Sequence, residues 1–292
     1  MIWTEEKTWK TESPSNSSFI WDRYGFINNP HRGLDYVKSA IVPHLGGGEV
    51  VVNGEVFYQK KKEFEEFNGS SVLLIGGGPS LNSFDFSTVG DYDKVVSCNH
   101  YFVNEYAAKI PMSFVFLGDE VKPQDPRLVA HLENTSHLIG FENIGRSQNE
   151  LSLFKEKYGD RIFWAHTRYH SKIGAMVRIA SFVCSLKPKS ISIIGMDGYK
   201  HLENDKDENH HGFQKDKKKD GTYERNFTGV KLEQKYKNQY LEFWDYVLHD
   251  IGKDIEFYNL GHGHACNLST EVLTEKIGEN YRLYLSDPHR RV

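Results

Sequence analysis

The chain has 292 residues and a formal net charge of −4 at pH 7. That length suits one large α/β domain, or one domain with an appended segment, and the near-neutral balance removes the electrostatic case for a nucleic-acid partner. No apolar run approaches the ~20 residues needed to span a bilayer. The start, Met1-Ile2-Trp3-Thr4-Glu5-Glu6, lacks the basic beginning and apolar core of a signal peptide. Three widely spaced cysteines, Cys98, Cys184 and Cys266, contain no C-x-x-C pair, so neither a disulfide framework nor a zinc knot is indicated. The expectation is a cytoplasmic protein with reduced thiols, at most peripheral at the inner membrane face. Aromatic residues make up 13 %, with 16 Tyr and 18 Phe. That supply suits packed strands, or a pocket that stacks on a base or a sugar.

Residues 1–69 read as a small N-terminal appendage. Ser13 to Ser18, with Pro14 inside, is polar and turn-prone, and Leu45-Gly46-Gly47-Gly48 is a break. Val50-Val51-Val52 and Val56-Phe57-Tyr58 then flank Asn53-Gly54, the strongest short hairpin signal.

Residues 70–292 read as a nucleotide-binding domain with a strand–helix rhythm. The first strand, Val72-Leu73-Leu74-Ile75, runs straight into Gly76-Gly77-Gly78-Pro79-Ser80-Leu81. Pro79 suits the first position of a helix, where a missing N–H is harmless. Glycines allow close backbone approach, and a helix start offers free N–H groups, so the natural guest is a phosphate. The alternative is a tight strand–helix turn that binds nothing. Leu81 stands where G-x-G-x-x-G needs its last glycine, and no Lys-Ser/Thr pair follows, so neither a standard dinucleotide loop nor a Walker loop is present.

A second strand at 94–98 ends in Asn99, whose amide could bond a ribose hydroxyl or a base edge, or simply close the turn. Strands follow at 114–117, before Gly118-Asp119-Glu120, at 138–141 and at 162–165. Arg168 to Lys172 is basic and hydroxyl-rich, either an anion contact or a solvated turn. Helix spacing runs from Ile173 to Leu186, with Ile173, Met176, Val177, Ala180 and Val183 on one face. The strand at 190–194 ends at Gly195-Met196-Asp197-Gly198. This alternation predicts an α/β fold: a modified Rossmann-like, doubly wound, mostly parallel sheet, with Gly76, Asn99, Asp119 and Asp197 at its carboxyl edge.

Residues 200–225 break the rhythm with Asp, Glu, Lys, Asn and His, and read as a lid or as an inert insertion. A helix at 236–248 and a strand at 255–260 follow, then Gly261-His262-Gly263-His264. The histidine spacing does not make a transition-metal site. A histidine as general base is the better use, with His210 and His211 in the polar loop as candidates. Asp197 could hold a ribose, a sugar or a hydrated magnesium ion, or cap the next turn; Asp119 poses the same choice.

The Gly-Gly-Gly-Pro-Ser-Leu loop, Cys98-Asn99-His100 and the block from Gly174 to Tyr199 resemble the bacterial lipooligosaccharide sialyltransferases. They are equally similar to the related MptE-like family, named for 6-hydroxymethylpterin diphosphokinase, which includes the motility accessory factors. The similarity spans roughly 70–265. The sialyltransferase resemblance implies a metal-free transferase for a CMP-activated sugar. In it Gly76, Gly77, Gly78, Pro79 and Ser80 cradle the nucleotide, Asn99 contacts cytidine or ribose, Ile173 and Gly174 add backbone donors, and 200–225 is the lid. The partners implied are a nucleotide-sugar donor and a glycan or protein acceptor.

The chain also departs from that pattern. Gly77 replaces an Asn, Lys172-Ile173-Gly174 replaces Thr-Ser-Gly, and 223–229 lacks the expected histidine. The base is then His210 or His211 delivered by the loop, or another group such as Asp197. The departures lean toward the MptE-like side, which implies ATP with Mg2+ held by Asp119 or Asp197. A nucleotide-binding module without turnover is the third reading.

Overall fold

The computed structural model describes residues 42–44, 46–53, 56–118, 121–141, 148–167, 175–196 and 247–261. Among these described residues nine strands form one sheet: β1 (Val50–Asn53), β2 (Val56–Gln59), β3 (Ser71–Ile75), β4 (Lys94–Cys98), β5 (Phe114–Phe116), β6 (Leu138–Phe141), β7 (Ile162–Thr167), β8 (Ser190–Ile194) and β9 (Glu256–Asn259). The main helices are α1 (Pro126–Glu133), α2 (Gln148–Tyr158) and α3 (Ala175–Ser185).

The order across the sheet is β1-β2-β7-β6-β5-β4-β3-β8-β9. All neighbours from β7 to β9 pair parallel. The fold is therefore α/β with a mostly parallel sheet, as the strand–helix rhythm predicts. The central strands are legible because a parallel strand is covered on both faces and so reads as an unbroken apolar run: Val72, Leu73, Leu74 and Ile75 are all buried.

From β3 the chain steps through β4, β5, β6 and β7 on one side. It then crosses back to lay β8 and β9 on the other. The strand order reverses between β3 and β8, and in open α/β sheets the crevice beyond the carboxyl ends at such a reversal is where ligands sit.

The hairpin at the start of the described chain is part of this sheet. β1 pairs antiparallel with β2, and β2 pairs antiparallel with β7, Val56 opposite Thr167. Asn53 faces Val56, so residues 54 and 55, outside the described residues, connect the strands, one position later than the Asn53-Gly54 centre predicts. The Asn53 side chain donates from Nδ2 to the Ser185 carbonyl at 2.9 Å, satisfying a terminal carbonyl of α3.

Among the described residues most aromatic side chains lie in the core. On one face Tyr58, Phe64, Phe114, Phe116 and Phe163 meet Phe182 of α3 with ring centroids 5.2 to 5.6 Å apart, and Phe67 packs on Phe114 at 5.3 Å. Phe64 and Phe67 come from a 3-10 stretch, Lys62–Phe67. Every residue of α3 but Arg178 is buried. Gly140 on β6 lies between two of these rings: a Cβ there would stand 2.6 Å from Phe163 Cζ and 3.0 Å from Phe116 Cδ1. Phe141, one residue on and so pointing to the other face, meets Phe154 of α2 at 5.0 Å. Helices thus cover both faces.

α1 starts with Asp125 accepting from the Arg127 N–H and Pro126 at the first position, a cap and proline start not read from the sequence above. Of the predicted helix at 236–248, only its last two residues, within a π-turn at Val247–Ile251, are described. The strand predicted at 255–260 is β9.

Candidate functional site at the carboxyl edge

The glycine loop leaves β3 at the reversal point and lies directly against the end of β8. The Gly76 N–H donates to the Ile194 carbonyl at 2.7 Å, and the Gly78 N–H to the Gly195 carbonyl at 2.7 Å. The Gly195 N–H donates to Ser80 Oγ at 3.2 Å. The two backbones touch: a Cβ on Gly76 would lie 2.5 Å from the Gly195 carbonyl oxygen, and one on Gly195 would strike the Gly76 carbonyl oxygen. Gly195 also has φ +72°, a left-handed conformation that favours glycine.

Close backbone approach is thus needed by the fold itself. Two of the three loop amides are committed to β8, and the Ser80 hydroxyl, 3 % exposed, accepts from Gly195. Pro79 takes the first helical position, as its sequence context predicts, but the helix is a five-residue 3-10 stretch, Pro79–Ser83. It brings little of the aligned-dipole field that a full α-helix would offer a phosphate.

Asn99 sits at φ +50°, where Asn is tolerated better than most side chains. Its Oδ1 accepts from the Gly118 N–H at 2.8 Å. Asn99 therefore closes its turn and fastens the loop after β4 to the loop after β5. Ser97 Oγ, buried, donates to the Ile75 carbonyl at 2.8 Å, and the Leu117 N–H donates to the Gly140 carbonyl at 2.8 Å. The carboxyl ends of β8, β3, β4, β5 and β6 are laterally tied in one row. Each tie is worth about 0.5–1.5 kcal/mol net, and together they hold the loop ends as a preformed platform. Gly195, Ser97 and Gly118 belong to this platform without having been singled out as site residues; a glycine closing each strand was the available signal for two of them.

Asp119, Ile173, Gly174, Asp197, His210 and His211 lie outside the described residues, as do 168–172, 200–225, His262 and His264. The described chain stops one residue short of Asp119, at Gly118, and one short of Asp197, at the buried Met196. Among the described residues no group of three or more His, Cys, Asp or Glu could hold a metal ion, and no helix is long and apolar enough to cross a membrane.

Among the described residues the two histidines with shifted titration lie at the opposite edge of the sheet. His137 directly precedes β6 and Arg161 directly precedes β7. The Tyr101 hydroxyl and His137 Nε2 are 2.8 Å apart, and the His131 ring lies 5.1 Å from Tyr101 and 5.8 Å from His137, centroid to centroid. Arg161 donates from Nε to the His137 carbonyl at 2.9 Å, from Nη1 to the Leu132 carbonyl at 2.8 Å and from Nη2 to Thr135 Oγ1 at 3.3 Å. Burial first, then the Arg161 charge and His131, pushes His137 down to about 3. Burial and Arg161 lower His131 as well, and burial raises Tyr101. The cluster ties the end of α1 and the turn after β4 to the starts of β6 and β7.

No protein-family model matches the chain, and no curated protein matches it. Among solved structures it is similar to the sialyltransferase CstII from Campylobacter jejuni in complex with the substrate analogue CMP-3FNeuAc, at 16 % identity and TM-score 0.44, over 68 % of this chain and 85 % of that one. It is also similar to the monofunctional alpha-2,3-sialyltransferase Cst-I from Campylobacter jejuni, at 14 % identity and TM-score 0.42, over 66 % and 76 %.

Proposed function

We propose that the chain is a glycosyltransferase that moves a sugar from a nucleotide-activated donor, a CMP-sugar first, to a glycan or protein acceptor. The observation that carries this reading is the placement of the Gly76–Ser80 loop at the reversal between β3 and β8, with Asn99 on the loop next to it. The resemblance of that loop and of Cys98-Asn99-His100 to the sialyltransferase motifs supports the reaction class. In this reading the acceptor hydroxyl gives its proton to His210 or His211, or to Asp197. Its oxygen forms the new bond to the anomeric carbon as the bond to the phosphate breaks, and the nucleotide leaves. Gly77, Ile173 and Gly174 supply backbone contacts to the nucleotide, Asn99 meets the cytidine or ribose, and 200–225 covers the donor as a lid. No metal enters this reaction. The site belongs to a domain over 70–292 acting in the cytoplasm or at the inner membrane face.

Thermal-shift binding with CMP, UDP, GDP and ATP, each with and without magnesium, tests the reading. A ligand at 100 times its Kd stabilises the fold by about 2.7 kcal/mol. Stabilisation by CMP without metal is the expected result. Stabilisation by ATP with magnesium alone would replace this reading with the diphosphokinase one, and nucleotide binding without turnover of any donor would leave a binding module.

A further inference from the structure

The two crossovers that follow β3 and β4 pack against each other through Phe86 and Tyr106, whose rings stack at 5.3 Å and 19°. Between them lies a cavity of about 420 Å³, within the range of roughly 300–1,000 Å³ usual for small-molecule sites. Leu81 forms its apolar floor, Phe84 and Phe86 meet edge to face at 5.2 Å along its wall, and Asn82 and Asp85 stand at its rim. We propose that this cavity binds a neutral sugar unit of an oligosaccharide.

Three observations select that chemistry. Tyr106 is 50 % exposed, so ring surface remains open for the C–H face of a pyranose. Asn104 fixes the ring's position by accepting, through Oδ1, from the N–H groups of Tyr106 and Ala107 at 3.0 and 2.9 Å. The rim carries hydroxyl-binding groups with spare capacity. Among the described residues the Asn82 amide, the Tyr106 hydroxyl and Asp85 Oδ2 have no partner, while Asp85 Oδ1 accepts from the Ser87 N–H and Oγ–H.

The same features disfavour other guests. The Ser87 hydrogen bonds hold the Asp85 carboxyl below its usual range, so it is ionised at neutral pH and repels phosphate or a sugar carboxylate. Phe86 and Tyr106 already stack on each other, so a base has no two-ring sandwich here and only the one open face of Tyr106. An apolar side chain would leave the amide and carboxylate unused. The site does not depend on the transferase reading. Where that reading holds, the cavity grips the acceptor glycan away from the reacting hydroxyl.

The test is saturation-transfer NMR on the full chain with lactose, cellobiose, maltotriose and α2,3-sialyllactose, alone and with CMP. The expected result is binding of at least one neutral oligosaccharide with Kd at or below about 10 mM, unaffected by CMP. Tyr106→Ala weakens it at least about tenfold and Tyr106→Phe leaves most of it. Asn82→Ala, at an exposed position, weakens it too and carries the test if Tyr106→Ala does not fold. Binding of no neutral oligosaccharide, affinity unchanged in Tyr106→Ala and Asn82→Ala, preference for the sialylated sugar, or displacement by CMP would each overturn the proposal. The CMP thermal shift of Tyr106→Ala is read in parallel: a lost sugar site leaves that shift intact, whereas a failed transferase reading removes the shift and leaves the sugar site.

Discussion

Acidification from pH 7 to pH 5 is expected to cost the fold about 2 kcal/mol through His137 alone. The ring is buried against Tyr101, and the Arg161 guanidinium is bonded to the His137 carbonyl, so a second positive charge is resisted. In the fold the group titrates at about 3; in the unfolded chain it returns to about 6.5. The folded pKa is the lower one, so the stabilisation is fully present above about pH 6.5 and is lost as the pH falls toward 3. At pH 5 the unfolded chain has taken up nearly one proton that the fold refuses. The ratio of binding polynomials, about 30 to 1 at pH 5, then gives about 2 kcal/mol, and a folded pKa one unit higher barely changes it. His131, also lowered, adds in the same direction. Against a typical net stability of 5–15 kcal/mol this is readily measured. The assay is urea unfolding at pH 7.0 and 5.0 for the parent and His137→Gln, which keeps a hydrogen-bonding group for Tyr101 without titrating. The parent should lose about 2 kcal/mol more than the variant between the two pH values. Equal losses would refute the account of a neutral buried His137.

Gly140→Ala should destabilise by about 1–3 kcal/mol through overpacking, because Phe163 and Phe116 are held by their own aromatic neighbours; an unchanged urea midpoint would show that the rings give way. Arg161→Ala removes three hydrogen bonds joining α1, β6 and β7; a loss of about 2–4 kcal/mol is expected, with Arg161→Lys recovering only part, and a loss below about 0.5 kcal/mol would make the cluster incidental. Asn99→Asp keeps an oxygen for the Gly118 N–H and a side chain that accepts a positive φ, but replaces the amide NH2. It should retain the parent melting temperature and abolish the CMP thermal shift, and a full shift in that variant would remove the Asn99 amide from the nucleotide site. Asn99→Ala should also lower stability, by about 1–2 kcal/mol, as its left-handed turn loses both support and tolerance.

Strand identity was legible locally. Val72 to Ile75, 95–98, 138–141 and 190–194 are apolar runs closed by turn residues, and burial on both faces of a parallel sheet requires nothing more distant than that pattern. The positions at the carboxyl edge follow from the same alternation, so Gly76, Ser80 and Asn99 could be placed there from their neighbours in the chain. α2 carries a weak apolar stripe: among its described side chains Leu151, Phe154 and Tyr158 are buried while Leu153 is exposed, and it gave no periodic signal strong enough to read.

What each edge residue is committed to was decided only by tertiary structure. Ser80 and Gly195 meet across 115 positions, and that contact turns a loop suited to phosphate into one whose amides at Gly76 and Gly78 are spent on β8. Nothing near Gly140 announces that two phenylalanines, one from the strand on either side, will need its missing Cβ. The pairing of β2 with β7 cannot be read from the hairpin at 50–59, since an apolar run marks a buried strand but not the neighbour that supplies its hydrogen bonds. Local pattern specifies the type of element; partners are chosen by the non-local burial and hydrogen bonding that only the assembled sheet makes available.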